Sequence, residues 1–199
     1  MALEKPKRGY RFTFGYGSNM CLGRMRCRVP SACPIAVAEL PNHVFAFHKQ
    51  SDDGSGKGDA FRTGNATDRV LGVVFELHKS DLPLLDTAEG KTKGYKVRWL
   101  LVNEVGGTRT FKAKTYIAMK SHIDANLQPY TWYRRHVVEG AGHFNLEPDY
   151  VAKIAAKGAI ADPRPSRARR QLRFPCDHDV DPADWADLDC NDSELRPCD

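Results

Sequence analysis

The chain has 199 residues, of which 41% are hydrophobic and 28% are charged. This length suits one domain with some residues to spare, and the hydrophobic share excludes a wholly disordered protein. No apolar run approaches the ~20 residues of a membrane-spanning helix, so we expect no contact with a membrane. The first residues lack the apolar core of a secretory signal peptide, so the expected location is cytoplasmic.

Charge is distributed unevenly along the chain. The formal net charge is +5, but residues 176–199 contain nine acids and one base, so residues 1–175 carry +13. Residues 163–175 contain five arginines and three prolines and almost nothing apolar. Neither segment has the periodicity of a helix or strand. We therefore predict a catalytic domain over residues 1–161 and a flexible C-terminal tail over residues 162–199, arginine-rich and then acidic.

The cysteines and histidines give no metal-binding pattern. The chain has no CxxC pair and no HxxxH or HExxH motif, so we expect reduced thiols in a reducing compartment and no bound metal. A metal site at Cys176 and His178, beside several aspartates, is a weaker alternative because ligands need a rigid scaffold. The six cysteines are Cys21, Cys27, Cys33, Cys176, Cys190 and Cys198.

Strands dominate the first part of the chain and helices the last part. Alternating or β-branched apolar residues predict strands, and apolar residues at helical spacing predict helices. Small and charged residues predict a flexible loop at 51–58. The predicted strands are 10–14, 35–40, 44–48, 59–62, 70–77, 95–105 and 108–118, and the predicted helices are 20–28, 80–89, 129–139 and 148–157. This order indicates an α+β fold with a mostly antiparallel sheet or small barrel.

The first candidate motif lies where the first predicted strand ends. Residues 14–20, FGYGSNM, lead from that strand through a glycine-containing loop into a helix. Successive main-chain N–H groups at such a turn converge on an anion or on a developing oxyanion. Gly17 has no Cβ, so a ligand approaches the main chain closely there. The pattern alone fits a structural turn as well as a ligand site, and it lacks the Gly-Lys-Ser/Thr ending of a P-loop.

The second candidate motif is DTAEG at residues 86–90. Glu89 falls at the C-terminal end of a predicted helix, where the helix dipole disfavours a negative charge by typically ~0.3–1 kcal/mol. A carboxylate in such a place suits a general acid or base. A solvated glutamate just before a helix stop is the alternative, and the local pattern leaves both open.

Together the two motifs resemble those of the γ-glutamylcyclotransferases, in particular the branch that acts on γ-glutamyl amino acids. The resemblance covers about residues 11–160, and the ordered set of motifs is more specific than either motif alone. Further segments in family order are LGVVF at 71–75, KSDL at 79–82, Thr115-Tyr116, WYRR at 132–135 and PDY at 148–150.

The resemblance implies a fold and a reaction. The fold is a closed or nearly closed β-barrel, flanked by helices, with the pocket at its mouth. In the reaction, the substrate's own α-amine attacks its γ-carbonyl, so that a γ-glutamyl amino acid becomes 5-oxoproline and a free amino acid. The resemblance implies no metal, no organic cofactor and no covalent enzyme intermediate. It also implies a place in glutathione metabolism.

The family roles carry over onto particular residues. Glu89 becomes the general base and acid, and the loop at 16–19 holds the substrate and stabilises the oxyanion. Tyr116 matches a family tyrosine that lines the pocket, whereas Tyr95 and Tyr133 are as readily core or rim residues. The substrate-binding residues expected are Tyr16, Gly17, Ser18, Asn19, Met20, Tyr95, Tyr116 and Tyr133.

Other branches and other classes are kept as alternatives. The glutathione-specific branch resembles Tyr-Gly-Ser-Leu and the γ-glutamylamine branch Tyr-Gly-Thr-Leu, and this chain has Asn19 at the last position. The alternative enzyme is a cyclotransferase for another γ-glutamylated amine or metabolite. A basic nucleic-acid-binding module is less favoured, because the arginine run lacks interleaved aromatic residues. The expected partner is a small γ-glutamyl substrate, and a homodimer is left open.

Overall fold

The computed structural model describes residues 2–91 and 93–173. The predictions for Cys176, His178 and the acidic segment lie outside the described residues. Eight strands and five α-helices occupy the described part of the chain. They are β1 Ala2–Glu4, β2 Tyr10–Gly15, α1 Leu22–Arg28, β3 Cys33–Pro41, β4 His43–Gln50, β5 Gly56–Arg62, β6 Arg69–His78, α2 Leu82–Ala88, β7 Tyr95–Glu104, β8 Arg109–Ala118, α3 Thr131–His143, α4 Pro148–Ala155 and α5 Pro165–Gln171.

Five of the strands close into a small mixed barrel. Their order is β8-β2-β6-β3-β7, and β7 pairs with β8 to close the ring. The β2–β8 pairing is parallel and the other barrel pairings are antiparallel. The short strand β1, which the sequence did not predict, adds to β8 in parallel. The predicted α+β class with a mostly antiparallel barrel is confirmed.

Strand β6 is the middle strand of this order, and both of its faces are buried. Leu71, Val73 and Phe75 belong to one hydrophobic cluster, and Val70 and Val74 belong to another. Burial on both faces explains why this strand reads as a continuous apolar run rather than an alternating one. Its neighbours β2 and β3 then form the part of the barrel wall from which the loop at 16–20 emerges.

The hairpin of β4 and β5 forms a separate two-stranded sheet. The prediction of a flexible loop at 51–58 is wrong in its second half, because β5 begins at Gly56 and Ser55 is fully buried. Hydrogen bonds from other elements order this segment. The Tyr130 hydroxyl donates to the Asp53 carbonyl at 2.7 Å, and the Gly56 N–H donates to the Gln128 carbonyl at 2.9 Å.

Helix α5 corrects one prediction about the charged C-terminal segment. Residues 163–175 show no helical period in the sequence, but Pro165–Gln171 form a short helix. Polar contacts rather than an apolar stripe attach it to the domain. Arg167 pairs with Asp162 at 2.6 Å, and the Gln171 carbonyl accepts a hydrogen bond from His136 Nε2 at 2.8 Å. The domain boundary at residue 162 stays a prediction.

The cysteines differ from the sequence expectation. Cys21, Cys27 and Cys33 are disulfide-bonded, so the prediction of reduced thiols is wrong for these three. The spacing of cysteines along the chain does not reveal which of them the fold brings together, and this is why the sequence misled. Within residues 2–91 and 93–173, no group of histidine, cysteine and carboxylate side chains has the arrangement of a metal site. No helix in this part of the chain is long and apolar enough to cross a membrane.

Candidate active site

A cavity opens where β2 ends. Its wall combines the loop after β2, the residue that caps α2, and tyrosines from β7, β8 and α3. The lining residues are Phe14, Gly15, Tyr16, Gly17, Ser18, Asn19, Gly58, Glu89, Tyr95, Tyr116 and Tyr133. The structure therefore brings together all the residues predicted for the site except Met20.

Met20 lies on the core side of the loop. Its side chain is fully buried in the hydrophobic cluster, and its N–H donates to the Gly17 carbonyl at 3.0 Å. This hydrogen bond closes the tight turn of Ser18–Met20. The N–H groups of Gly17, Ser18 and Asn19 have no acceptor in the part of the chain that the structure describes, so these three are the main-chain donors open to a ligand.

Glu89 caps the C-terminal end of α2, as the sequence predicts. Its N–H donates to the Leu85 carbonyl at 2.9 Å, and the following Gly90 has φ +58°, the left-handed conformation that ends many helices. Its Oε1 accepts hydrogen bonds from Asn19 Nδ2 at 2.9 Å and from Arg28 Nη1 at 2.8 Å. No donor to Oε2 is found among the described residues, so one carboxylate oxygen is fixed and the other is open.

Two tyrosines bind the same glycine at the wall of the cavity. The Tyr133 hydroxyl accepts from the Gly58 N–H at 3.0 Å, and the Tyr95 hydroxyl donates to the Gly58 carbonyl at 2.5 Å. A Cβ at position 17 would lie 3.3 Å from the Tyr133 hydroxyl, so glycine there leaves the space open. Burial raises the pKa of both phenols. They therefore remain protonated and act as hydrogen-bonding groups, not as bases.

Tyr116 links the cavity to a partly buried ion pair. Its hydroxyl donates to Asp86 Oδ1 at 2.7 Å, and Lys114 Nζ lies 2.6 Å from the same oxygen. The Tyr16 hydroxyl donates to the main-chain carbonyl of Tyr116. Burial acts to raise the pKa of Asp86, but hydrogen bonds from Lys114 and Tyr116 outweigh it and lower that pKa. Asp86 is therefore a fixed anion that orients Tyr116.

A second cavity, of about 310 Å³, adjoins the first and shares Ser18, Glu89, Tyr95 and Tyr133 with it. Its lining is rich in cations, with five basic residues against the two acids Asp52 and Glu89. Burial lowers the pKa of Arg24 to about 9 and that of Lys57 to about 8, so both remain charged at neutral pH. The basic lining residues are Arg24, Arg28, Lys49, Lys57 and Lys93.

Sequence reasoning missed these cations, although part of the signal was present. Arg24 and Arg28 are four residues apart in α1, a spacing that places two side chains on one face of a helix. Lys49 and Lys57 are cross-strand partners in the β4–β5 hairpin. That pairing depends on a register that the polar residues 51–58 do not specify in the sequence.

Comparisons with known proteins agree with this geometry. The profile of the AIG2-like family matches residues 69–154. The γ-glutamylcyclotransferase of Mus musculus is 30% identical over 162 residues, which are 75% of this chain and 82% of the mouse protein. The Homo sapiens protein of the same name is 30% identical over 155 residues, 72% of this chain and 76% of the human protein.

A solved structure of a γ-glutamyl cyclotransferase gives a TM-score of 0.68 at 25% identity, covering 81% of this chain and 99% of that chain. The likeness therefore extends over the barrel and the helices that flank it. The similarity to the mouse and human proteins covers most of their length, so it is not confined to a shared fragment. Sequence and fold thus lead to one conclusion: the chain belongs to the γ-glutamylcyclotransferase family.

Proposed function

We propose that this protein converts a γ-glutamyl amino acid into 5-oxoproline and a free amino acid, with Glu89 as the general base and acid. The observation that carries the proposal is the contact between the two motifs. Asn19 Nδ2 lies 2.9 Å from Glu89 Oε1, so the Glu89 carboxylate stands beside the main-chain donors at the end of β2. The names of the mouse and human relatives support the same activity.

The reaction forms one carbon–nitrogen bond and breaks another. The substrate's α-amine attacks its γ-carbonyl carbon and closes a five-membered ring, and the bond from that carbon to the departing nitrogen then breaks. The attacking nitrogen loses two protons and the departing nitrogen gains two. Because no electrons are exchanged with a redox partner and no water is consumed, proton transfer is the chemistry required. We therefore propose no metal or organic cofactor.

Glu89 suits these proton transfers. Asn19 and Arg28 fix its Oε1, which leaves Oε2 to take a proton from the α-ammonium. The resulting acid then gives a proton to the departing amine, so one side chain serves both steps. Ring closure is intramolecular, and holding the amine near the carbonyl carbon lowers the barrier through orientation.

The loop after β2 supplies the second requirement of the reaction. The tetrahedral intermediate carries a negative oxygen, and the open N–H groups of Gly17, Ser18 and Asn19 are donors for it. A preorganised donor of this kind is typically worth about 3–4 kcal/mol of barrier. The hydroxyls of Tyr95, Tyr116 and Tyr133 line the same cavity and complete the set of substrate-binding groups that we propose.

The test is an assay of 5-oxoproline released from γ-glutamyl-alanine. We expect turnover by the wild type and by Glu139→Gln, a control in the exposed ion pair of α3. We expect Glu89→Gln to lose about 10²–10⁴-fold in kcat. Thermal unfolding of the three proteins shows whether each is folded. Equal turnover by Glu89→Gln and the wild type would eliminate Glu89 as the base.

The cellular location is a separate part of the proposal. The sequence favours the cytoplasm, but the disulfide bonds of Cys21, Cys27 and Cys33 count against it. Disulfides persist in oxidising compartments and are rare in the cytosol. Cytoplasmic location, a role in glutathione metabolism and a homodimer are predictions from the sequence, and the disulfide bonds oppose the first of them. Nucleic-acid binding stays the less favoured alternative.

A further inference from the structure

Lys49 is a buried lysine in the wall of the cationic cavity. It lies in β4, and only 5% of the residue is exposed. Its cross-strand partner is Lys57, so the two side chains stand on the same face of the hairpin. The mechanism proposed above uses neither of them. A buried ammonium group is costly unless an anion or several hydrogen bonds compensate it.

Three acids lie near Lys49, and two of them are paired with other cations. The third, Asp52, favours the charged form of Lys49 and forms no ion pair with it among the described residues. Asp53 lies 2.7 Å from Lys57 Nζ, and Glu89 lies 2.8 Å from Arg28 Nη1. Lys49 Nζ has one hydrogen bond, of 3.3 Å, to the main-chain carbonyl of Lys93. Within residues 2–91 and 93–173 it forms no ion pair with a carboxylate. It is therefore a buried cation beside an open cavity with capacity for an anionic ligand.

The surroundings of Lys49 hold its side chain in place. Its Nζ lies 4.8 Å from the centre of the Tyr95 ring, within the range of a cation–π contact. Gly94 has φ +110°, and a Cβ there would lie 2.5 Å from Lys49 Cε and 2.9 Å from Nζ. Position 94 thus lacks a side chain where one would displace the ammonium group.

The position of Glu89 indicates which part of the substrate meets Lys49. Glu89 lines both cavities and must lie near the departing nitrogen. The first cavity holds the oxyanion donors and has no lysine or arginine in its lining, so it suits the glutamyl carbonyl. The group beyond the departing nitrogen then extends past Glu89 into the cationic cavity. In a γ-glutamyl amino acid, that group carries a carboxylate.

We propose that Lys49 binds the carboxylate of the departing amino acid and thereby selects γ-glutamyl amino acids over γ-glutamyl amines and amides. This rests on the proposed function, since it assigns one end of the substrate in the same site. Of the other cations in the cavity, Arg28 pairs with Glu89 and Lys57 with Asp53. Arg24 donates to the side chain of Gln171, and Lys93 is exposed. Asp52, which also lines the cavity, repels an anion, so Lys49 must outweigh it.

The experiment compares γ-glutamyl-alanine with γ-glutamyl-alaninamide, which differ in the carboxylate and little else in shape. We expect the wild type to prefer the acid by about tenfold or more in kcat/KM, the effect of one hydrogen bond to a charged group. In Lys49→Met we expect this preference to fall to within about twofold, through a higher KM for the acid and a nearly unchanged KM for the amide. Lys153→Met, an exposed change on α4, should keep the preference.

Two results would overturn the assignment. One is equal use of the acid and the amide by the wild type, which decides the matter even if Lys49→Met does not fold. The other is an equal loss for both substrates in a folded Lys49→Met, which would place Lys49 on the glutamyl part or in a structural role. Release of no 5-oxoproline from either compound would instead refute the proposed function, and the Lys49 assignment with it.

Discussion

Arg28 and Glu89 are 61 residues apart in the sequence, and Arg28 Nη1 lies 2.8 Å from Glu89 Oε1. The same nitrogen lies 2.6 Å from Asn19 Oδ1. The end of α1 therefore connects the carboxylate at the end of α2 with the loop that follows β2. Both members of the ion pair have side chains about one-fifth exposed or less, so solvent screens them only in part.

Removing this contact should reduce catalysis more than stability. In Arg28→Gln, Glu89 loses one of the two groups that fix Oε1, and a misplaced base costs up to about 10²-fold in rate. We expect the loss mainly in kcat, with KM changed little. Arg28→Lys should recover part of the activity because one ammonium group reaches both oxygens. An Arg28→Lys enzyme no better than Arg28→Gln would contradict a positioning role for the charge.

Helix α3 touches the candidate oxyanion loop at a glycine. A Cβ on Gly140 would lie 2.5 Å from the Met20 carbonyl carbon and 2.6 Å from the Cys21 N. Both contacts are with main chain, so the loop itself would have to move. We expect Gly140→Ala to lower kcat for 5-oxoproline release and to lower the midpoint of thermal unfolding, by the overpacking that typically costs about 1–3 kcal/mol.

Gly142 is the matched control on the same helix. A Cβ there has nothing within 4 Å, and alanine favours a helix over glycine by about 1 kcal/mol. Gly142→Ala should therefore unfold at a slightly higher temperature and keep its activity. Similar losses in both variants would show that α3 does not support the loop through close contact at Gly140.

The barrel strands were the most predictable part of the fold. The apolar run at 70–77 and the Gly106–Gly107 turn each imposed a local structure that the tertiary fold retains. The strands on either side of residues 51–58 were predicted, but the order within 51–58 and helix α5 were missed, because hydrogen bonds and ion pairs between distant residues hold them in place. Asp53 with Tyr130 and Asp162 with Arg167 are examples. Such pairs have no periodic signal in the sequence.

The candidate site was predicted from two short motifs, and the same physical limit applies to it. Glu89 at the end of a helix and Gly17 after a strand are local features that the sequence shows directly. Their contact through Asn19 depends on tertiary structure, as does the approach of Arg28. Lys49 carried no signal at all, because its burial results from the packing of β4 against Gly94 and Tyr95.

The disulfide-bonded cysteines lead to a chemical prediction. Because Cys21, Cys27 and Cys33 are disulfide-bonded, none of them should react with iodoacetamide when the protein is unfolded without a reductant. After reduction, all three should be alkylated. Peptide mass spectrometry of the two samples measures this directly. Alkylation of any of the three before reduction would favour the original expectation of free thiols at that position.

Asp162 joins helix α5 to the domain. Its side chain is fully buried, and it accepts hydrogen bonds from Arg167, from the Arg164 N–H at 2.8 Å and from Trp132 Nε1 at 2.8 Å. The hydrogen bonds from Arg167 lower the pKa of this carboxyl well below its usual range, although burial opposes the shift. The charged form is therefore the one that the folded protein stabilises.

Replacing Asp162 should reduce stability in a pH-dependent way. Asp162→Asn leaves the partly exposed Arg167 without its anion, and losing hydrogen bonds between charged groups typically costs about 1.5–3 kcal/mol. The pKa is lower in the folded state than the ~3.9 of an unfolded aspartate, so the contribution is complete above that value and is lost as the pH falls below it. Urea unfolding at pH 7 and pH 3 should show that the wild type has a higher free energy of unfolding than Asp162→Asn, and that this difference is smaller at pH 3. If the difference in the free energy of unfolding were equal at pH 7 and pH 3, Asp162 would stabilise the fold through packing and not through its charge.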